Sequence, residues 1–124
     1  MAMIPPAGVS SEFEPDLEAA ACLFHGFSDS SRLSILQHLA LGEHRVVELT
    51  AHLDLAQSTV SKHLACLKDC GLVESRPVGR ASVFSLTHPE AMQRLFAAAE
   101  ELLALTGEAV VLCPTHGVSA RKDT

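Results

Sequence analysis

Two cysteines four residues apart lie in the stretch LAQSTVSKHLACLKDCGL, which runs from Leu55 to Leu72. We predict one helix here, and residues four apart on a helix share a side, with about 5–6 Å between their Cβ atoms. Two thiolates at that distance can close on one ion, and an all-sulfur site favours Cd, Pb or Zn over Mg or Ca. Cys66 and Cys70 are therefore candidate metal ligands, and two helix-packing thiols are the structural alternative.

The same helix has an apolar face and a polar face. At about 100° per residue, Val60, Leu64 and Leu67 form a stripe that faces a core, and the opposite side is small and polar. The first turns of a DNA-reading helix enter the major groove, although Ser and Thr there can also act as helix caps. The predicted DNA-contacting residues of this helix are Gln57, Ser58, Thr59, Ser61 and Lys62.

The segment before this helix completes a helix-turn-helix. A short apolar-faced helix over 46–53 and a tight turn over 54–56 lead into the cysteine-bearing helix over 57–69. Two short helices joined by a turn of three or four residues, the second with a polar outer face, are typical of DNA-reading proteins. Upstream, Ser28 or Asp29 is expected to cap a further helix over 30–41.

The segment after the helix predicts a β-hairpin, which would form a wing. The hydrophobic period becomes alternating after Gly71, with strands over 72–76 and 82–86 and a turn over 77–81. Arg80 at the tip of this wing is placed to reach a phosphate or the minor groove. A solvated turn arginine fits the spacing equally well.

The apolar faces of two further helices predict a homodimer. One begins at Pro15 and presents small alanines through about Phe27, and the other, over 89–105, carries a wide apolar stripe. The predicted fold is mainly α with a β-hairpin wing, in the order α-α-α-α-β-β-α, dimerising through its first and last helices. It divides into a flexible arm over 1–14, a winged helix-turn-helix domain over 15–106 and a tail over 107–124.

Composition narrows the class of protein. A chain of 124 residues with 48% hydrophobic residues and no Trp or Tyr forms one domain with an aliphatic core. No apolar run approaches the roughly 20 residues of a membrane span, and the N-terminus lacks signal-peptide features, so we expect a cytoplasmic protein. The net charge of −6 argues against a general nucleic-acid coat. Residues 56–86 nevertheless hold four basic and two acidic side chains, which is compatible with a small DNA footprint.

Of the four cysteines, none is expected in a disulfide, because cytoplasmic thiols are kept reduced. Cys22 has no helical partner, and its apolar neighbours predict a core or interface thiol. His116 in the tail is a candidate supplementary ligand, although most tail histidines have no such role.

The segment DSSRLSIL, from Asp29 to Leu36, resembles the D-P-x-R-x-x-I-L signature of the ArsR/SmtB repressors, with Ser30 in place of the usual proline. Residues 49–67 and the following GLVESRPVGRASVFSL are similar to the helix-turn-helix and wing of that family, and the resemblance covers about 17–103. The family implies a dimer that binds an inverted-repeat operator when metal-free and leaves it on binding an inducer. It also commonly has a histidine at His63, which implies a packing or hydrogen-bonding role.

The ligand set resembles that of the cadmium- and lead-sensing branch of the family. LACLKDCGLV with a distant Cys113 matches a pattern of two cysteines in the DNA-reading helix and one in the tail of the other subunit. The resemblance implies a site of Cys66, Cys70 and Cys113 for Cd(II) or Pb(II), with Zn(II) or As(III) as further candidates. The branch with a Cys-Val-Cys pair in the third helix is not matched, since that segment here reads EHRVVE.

Two other functions are compatible with these residues. One is a redox- or sulfide-sensing repressor with a disulfide among Cys66, Cys70 and Cys113. The other is a thiol enzyme in which His63 activates Cys66, but no oxyanion site or orienting carboxylate is evident. We therefore expect a repressor and not an enzyme.

Overall fold

The computed structural model describes residues 17–109 and 111–112, so the predicted arm over 1–14 and the helix start at Pro15 lie outside the described residues. Helix α1 covers residues 17–26 of the described chain. The elements that follow are α2 (Ser30–Leu41), β1 (His44–Arg45), α3 (Val46–Leu53), α4 (Gln57–Asp69), β2 (Val73–Val78), β3 (Ala81–Leu86) and α5 (Pro89–Leu105). This order confirms the predicted winged helix-turn-helix. None of the described helices is long and apolar enough to cross a membrane.

The sheet has three strands, not the two that were predicted. Its order is β1-β3-β2, with both pairs antiparallel, and β1 joins through His44 opposite Phe84 and Arg45 opposite Val83. A strand of two residues is too short to produce an alternating pattern, so the sequence gives no sign of it. Because Arg45 directly precedes α3 and pairs with Val83, the added strand places the start of α3 beside strand β3 of the wing.

The turn of the wing is shorter than predicted. Strands β2 and β3 stay paired up to Val78 and Ala81, which leaves Gly79 and Arg80 as a two-residue turn. Gly79 has φ +63°, the left-handed value that the first position of such a turn requires and that glycine adopts at little cost. Pro77 lies within β2 instead of in the turn, which is tolerated because β2 is an edge strand.

The predicted apolar stripe of α4 is confirmed. Val60, Leu64 and Leu67 are at most 1% exposed, and they belong to one buried cluster with residues of α2, α3 and α5. In α2, Ile35, Leu36 and Leu39 are buried, and Leu33 is partly buried against this core. The other buried hydrophobic residues of the cluster are Ile35, Leu36, Leu39, Leu49, Val73, Leu86, Met92 and Phe96.

A buried arginine joins three helices. Arg32 of α2 is 9% exposed, and its guanidinium donates to the carbonyl oxygens of His25 at 2.8 Å and Gly26 at 3.2 Å, at the end of α1. It also contacts Ser28 Oγ at 3.2 Å and lies 3.4 Å from Nδ1 of His63 on α4. Arg32 therefore shares the His25 carbonyl with Ser28, supplies a donor to the Gly26 carbonyl, and holds that helix end beside α2 and α4.

We expect Arg32→Ala to lower the free energy of unfolding by about 2–4 kcal/mol, because the carbonyl of buried Gly26 would lose this donor and the contact with His63 would be lost. Urea denaturation of the purified chain measures the change. Arg94→Ala on the exposed surface of α5 is the matched control, and we expect it to stay within about 0.5 kcal/mol of the wild type. Equal stability of the two variants would contradict the role given to Arg32.

Candidate DNA-reading helix and cysteine site

The polar face of α4 presents most of the predicted DNA-contacting residues to solvent. Gln57, Ser58, Ser61 and Lys62 are exposed, and Thr59 is half-buried. The N-cap residue is Ala56, which makes no side-chain cap hydrogen bond, so Ser58 is not the cap of this helix. In the described chain the first-turn N–H groups of α4 therefore lack a side-chain acceptor, and the positive end of the helix dipole lies beside exposed Gln57.

The basic charge of this surface is smaller than the sequence suggests. Arg76 donates to both carboxylate oxygens of Glu43, at 2.7 and 2.9 Å, so its charge is balanced within the protein. Lys68 Nζ donates to Ser75 Oγ at 2.9 Å and links the end of α4 to the wing. Lys62 on α4 and Arg80 at the exposed tip of the wing are therefore the two best-placed cations for a phosphate.

His63 has the hydrogen-bonding role that was predicted for it. Its Nδ1 faces the Arg32 guanidinium, and its Nε2 lies 3.7 Å from Asp29 Oδ2. Asp29 also accepts the backbone N–H of Arg32 at 3.1 Å as the N-cap of α2. Because both ring nitrogens face Arg32 and Asp29, the structure does not support His63 as a base for Cys66.

The end of α4 fixes the position of Cys70. Cys70 is the C-cap residue, and Gly71 follows with φ +79°. The N–H of Gly71 donates to Lys68 O at 3.0 Å, and the N–H of Leu72 donates to Leu67 O at 2.9 Å. This pair of bonds is the Schellman motif, which ends the helix and turns the chain into β2. Cys70 thus lies on a rigid corner between the DNA-reading helix and the wing.

Cys70 is joined to Cys22 by a disulfide, with their Cα atoms 5.9 Å apart. Cys22 lies exposed on α1, so its prediction as a core thiol is wrong, as is the expectation that no cysteine forms a disulfide. A place for Cys22 at a subunit interface stays a prediction. The two residues are 48 positions apart on different helices, and no spacing rule connects them. Among the described residues, Cys66 is the free cysteine, and it is half-buried on the flank of α4.

The contact between α1 and α4 depends on a glycine. Gly26 is buried, and a Cβ there would lie 3.0 Å from Leu72 Cδ1 and 3.4 Å from Leu67 Cδ2. Cys22 is four residues earlier on α1 and shares the face of Gly26. The close packing of this face therefore brings Cys22 to the corner occupied by Cys70.

The predicted three-sulfur site is only partly within the described chain. Cys113 and His116 lie outside the described residues, so their places relative to Cys66 and Cys70 stay predictions. Leu112 is held in place, because its N–H donates to Glu100 Oε2 at 2.6 Å and its carbonyl accepts from Gln37 Nε2 at 2.9 Å. In the described part of the chain, no group of three or more histidine, cysteine or carboxylate side chains is arranged to hold a metal ion.

Three histidines that the sequence analysis did not single out form a cluster near the wing. The ring centroids of His38, His44 and His52 lie 5.0–6.2 Å apart, with His38 and His52 stacked. Nδ1 of His38 is 2.8 Å from Ser34 O, and Nδ1 of His44 is 2.8 Å from Gly42 O. These contacts join α2, β1 and α3, and they add to the pairing of β1 with β3.

Helices α1 and α5 expose apolar side chains, as the predicted dimer requires. Phe24 is 60% exposed, and Leu102 is 64% exposed. Between these helices and α2 is an apolar cleft of about 420 Å³. Its lining residues are Phe24, Phe27, Leu33, Leu95, Phe96, Ala99, Leu103 and Leu112. A second subunit covering this face would remove a large apolar surface from water.

Comparison with known proteins points to one family. Residues 29–75 match the family described as bacterial regulatory protein, arsR family. The chain is 33% identical over 99 residues to the "Probable mercury resistance operon repressor" of Streptomyces lividans, covering 80% of this chain and 78% of that protein. It is 36% identical over 87 residues to the HTH-type transcriptional regulator CmtR of Mycobacterium tuberculosis, covering 70% and 74%.

A solved structure has the same fold. The homodimeric winged helix-turn-helix DNA-binding domain Mb0332 from Mycobacterium bovis superimposes with a TM-score of 0.68 at 28% identity. The alignment covers 87% of this chain and 94% of that domain.

We expect the stability of the chain to fall in acid partly through Asp29. The N–H of Arg32, which donates to this carboxylate, is the main cause that lowers the pKa of Asp29 below its usual value. A lowered folded-state pKa stabilises the fold above the unfolded-state pKa, and this contribution is lost as the pH falls through the folded-state pKa. The thermal midpoint of Asp29→Asn should therefore lie below that of the wild type at neutral pH, and the gap should close in acid.

Asp69→Asn, which removes one exposed carboxylate at the end of α4, is the control for the change in net charge. A gap for Asp29→Asn that kept its full width into the acid range would show that the ionised carboxylate contributes nothing.

Proposed function

Since this chain belongs to the ArsR family of bacterial regulatory proteins, we propose that it is a metal-responsive transcriptional repressor that leaves its operator on binding a thiophilic metal. The family consists of DNA-binding regulators and not enzymes, and its metal-responsive members include arsenical and mercury resistance repressors. The observation that carries the metal response is the position of Cys66 and Cys70, on the flank and at the end of the helix whose polar face is open to DNA.

In this proposal the repressor reads DNA as a homodimer. Two α4 helices, one from each subunit, enter successive major grooves of an inverted-repeat operator, about one helical turn apart. Gln57, Ser58, Thr59, Ser61 and Lys62 contact bases and phosphates there, and Arg80 of the wing reaches the backbone beside them. The apolar faces of α1 and α5 support the dimer, and the homodimeric domain from Mycobacterium bovis has the same fold.

The proposed inducer site uses sulfur ligands alone. Cys66 and Cys70 from one subunit and Cys113 from its partner would hold Cd(II) or Pb(II), and Zn(II) or As(III) suits the same ligands. Cys70 is the C-cap of α4, where the negative end of the helix dipole opposes a thiolate, so a bound cation would stabilise that thiolate. Only the reduced form can present this site, since a sulfur within the Cys22–Cys70 disulfide is not a thiolate.

Because α4 is rigid, metal binding at its end can change the affinity of the protein for DNA. Its apolar stripe is fully buried, so a force on its end moves the helix as one body and changes where its polar face lies. A metal can bind more tightly to the dimer geometry in which the two α4 helices no longer fit the major grooves. Operator affinity then falls by the difference in metal-binding free energy between the two geometries, typically about 1–3 kcal/mol.

We expect Lys62→Ala and Arg80→Ala to weaken binding to operator and to unrelated DNA alike. Each loses one phosphate contact, so the salt dependence of affinity should fall by about one counterion per subunit. Gln57→Ala should instead reduce the preference for operator over unrelated DNA, by about 1–3 kcal/mol, because a base-edge contact is lost. Fluorescence anisotropy at several salt concentrations measures both effects.

Arg94→Ala, which removes a positive charge from α5, is the control for these DNA variants. A loss of affinity in Arg94→Ala equal to that in Lys62→Ala would mean that net charge, and not the polar face of α4, determines binding.

We expect Cys66→Ser to keep its operator affinity under reducing conditions and to lose its release by Cd(II) or Pb(II). The substitution removes one thiolate from the metal without altering the polar face of α4. Thiolate-to-metal absorption and operator anisotropy, followed in one titration, measure binding and release together. Cys22→Ser is the matched control, since this proposal gives Cys22 no place in the site. Release of Cys66→Ser at the wild-type metal concentration would refute the ligand set.

A further inference from the structure

Cys22 and Cys70 form a pair of sulfurs that solvent can reach. Cys22 is exposed on α1, and Cys70 is half-buried at the end of α4. Their Cα atoms lie 5.9 Å apart, inside the usual 4.4–6.8 Å range of disulfides. A small oxidant in solution therefore has access to a pair whose backbones need no rearrangement to be joined.

Contacts other than the sulfur–sulfur bond also hold α1 against the end of α4. Buried Gly26 keeps the same face of α1 in close contact with Leu67 and Leu72, and Arg32 binds the last carbonyls of α1. Cys70 Sγ also lies 3.2 Å from the carbonyl oxygen of Cys22. When the bond is reduced, the Cys70 thiol can donate to this carbonyl, which keeps it beside Cys22.

We propose that Cys22 and Cys70 are an oxidative modification site whose co-substrate is a hydroperoxide. The exposed Cys22 thiolate attacks the peroxide, taking one oxygen as a sulfenic acid while the remainder leaves as the alcohol, or as water when the oxidant is hydrogen peroxide. The Cys70 sulfur then attacks the sulfenic sulfur, the disulfide forms, and water leaves. Two thiols lose two electrons in total, and the peroxide gains them.

The consequence of this oxidation rests on the proposed function. A disulfide sulfur is not a thiolate, so oxidation withdraws Cys70 from the proposed metal site and leaves Cys66 without its partner on α4. The disulfide-linked structure keeps Gln57, Ser58 and Lys62 exposed, so the oxidised repressor remains able to bind DNA. Oxidation therefore makes the repressor insensitive to metal while it stays on the operator, and reduction restores the response.

The test begins with the reduced, metal-free, full-length chain treated with hydrogen peroxide. Mass spectrometry of a non-reduced digest should show the Cys22-containing peptide linked to the Cys70-containing peptide. Titration of the operator complex with Cd(II) should then require at least about tenfold more metal for release than the reduced protein does. Dithiothreitol should restore the original midpoint. Cys22→Ser should keep the reduced midpoint before and after peroxide.

Three outcomes would overturn the inference. The first is a peroxide-treated wild type that releases at the reduced midpoint, and the second is a linkage that forms through Cys66 or Cys113 in place of Cys22. The third is a Cys22→Ser protein that, while reduced and folded by circular dichroism, no longer releases with Cd(II), since Cys22 would then be a ligand. A reduced wild type that never releases with any thiophilic metal would refute the proposed function, and the linked peptide would still decide whether the modification site exists.

Discussion

The buried guanidinium of Arg32 is the constraint on which the arrangement of the helices depends. At the end of α1, Arg32 donates from α2 to the carbonyl oxygens of His25 and Gly26, and Ser28 also donates to that of His25. The same group faces His63 on α4, and Asp29 completes the network by capping α2. The side chain of Arg32 thus fixes α1, α2 and the DNA-reading helix α4 relative to one another. The D-x-x-R spacing seen in the sequence has this network as its physical basis.

The DNA-reading helix is held rigidly on its buried side and at its C-terminal end. Val60, Leu64 and Leu67 are buried in the core, and Gln57 and Lys62 face solvent. The end of the helix is fixed by the Schellman bonds and by the contact with α1. A metal held at this end, as proposed, would therefore act on the same body that carries the polar face.

Helices long enough to repeat the pattern of apolar residues several times were predictable from the sequence, and contacts between distant segments were not. The bounds of α2, α3, α4 and α5 agree with their predicted ranges because each has a periodic apolar face and a recognisable start or end. Strand β1 was missed because two residues have no period. The contact of Cys22 with Cys70 was missed because it depends on how closely Gly26 lets α1 approach, which one sequence does not reveal. For the candidate site, the exposed side of α4 was foreseen, whereas the neutralisation of Arg76 by Glu43 was not.

The position of Pro77 has a consequence for how copies of this protein can associate. Within the described residues the sheet has two unpaired edges, β1 and β2, and an open edge is a template on which another chain can add a strand. Strand β1 is only two residues long, and Pro77 deprives β2 of one backbone donor. Strand addition is thereby discouraged at both edges, which leaves helix faces as the surface for assembly. Pro77, which lies outside the turn of the wing, therefore discourages edge-to-edge pairing of β2 with another chain.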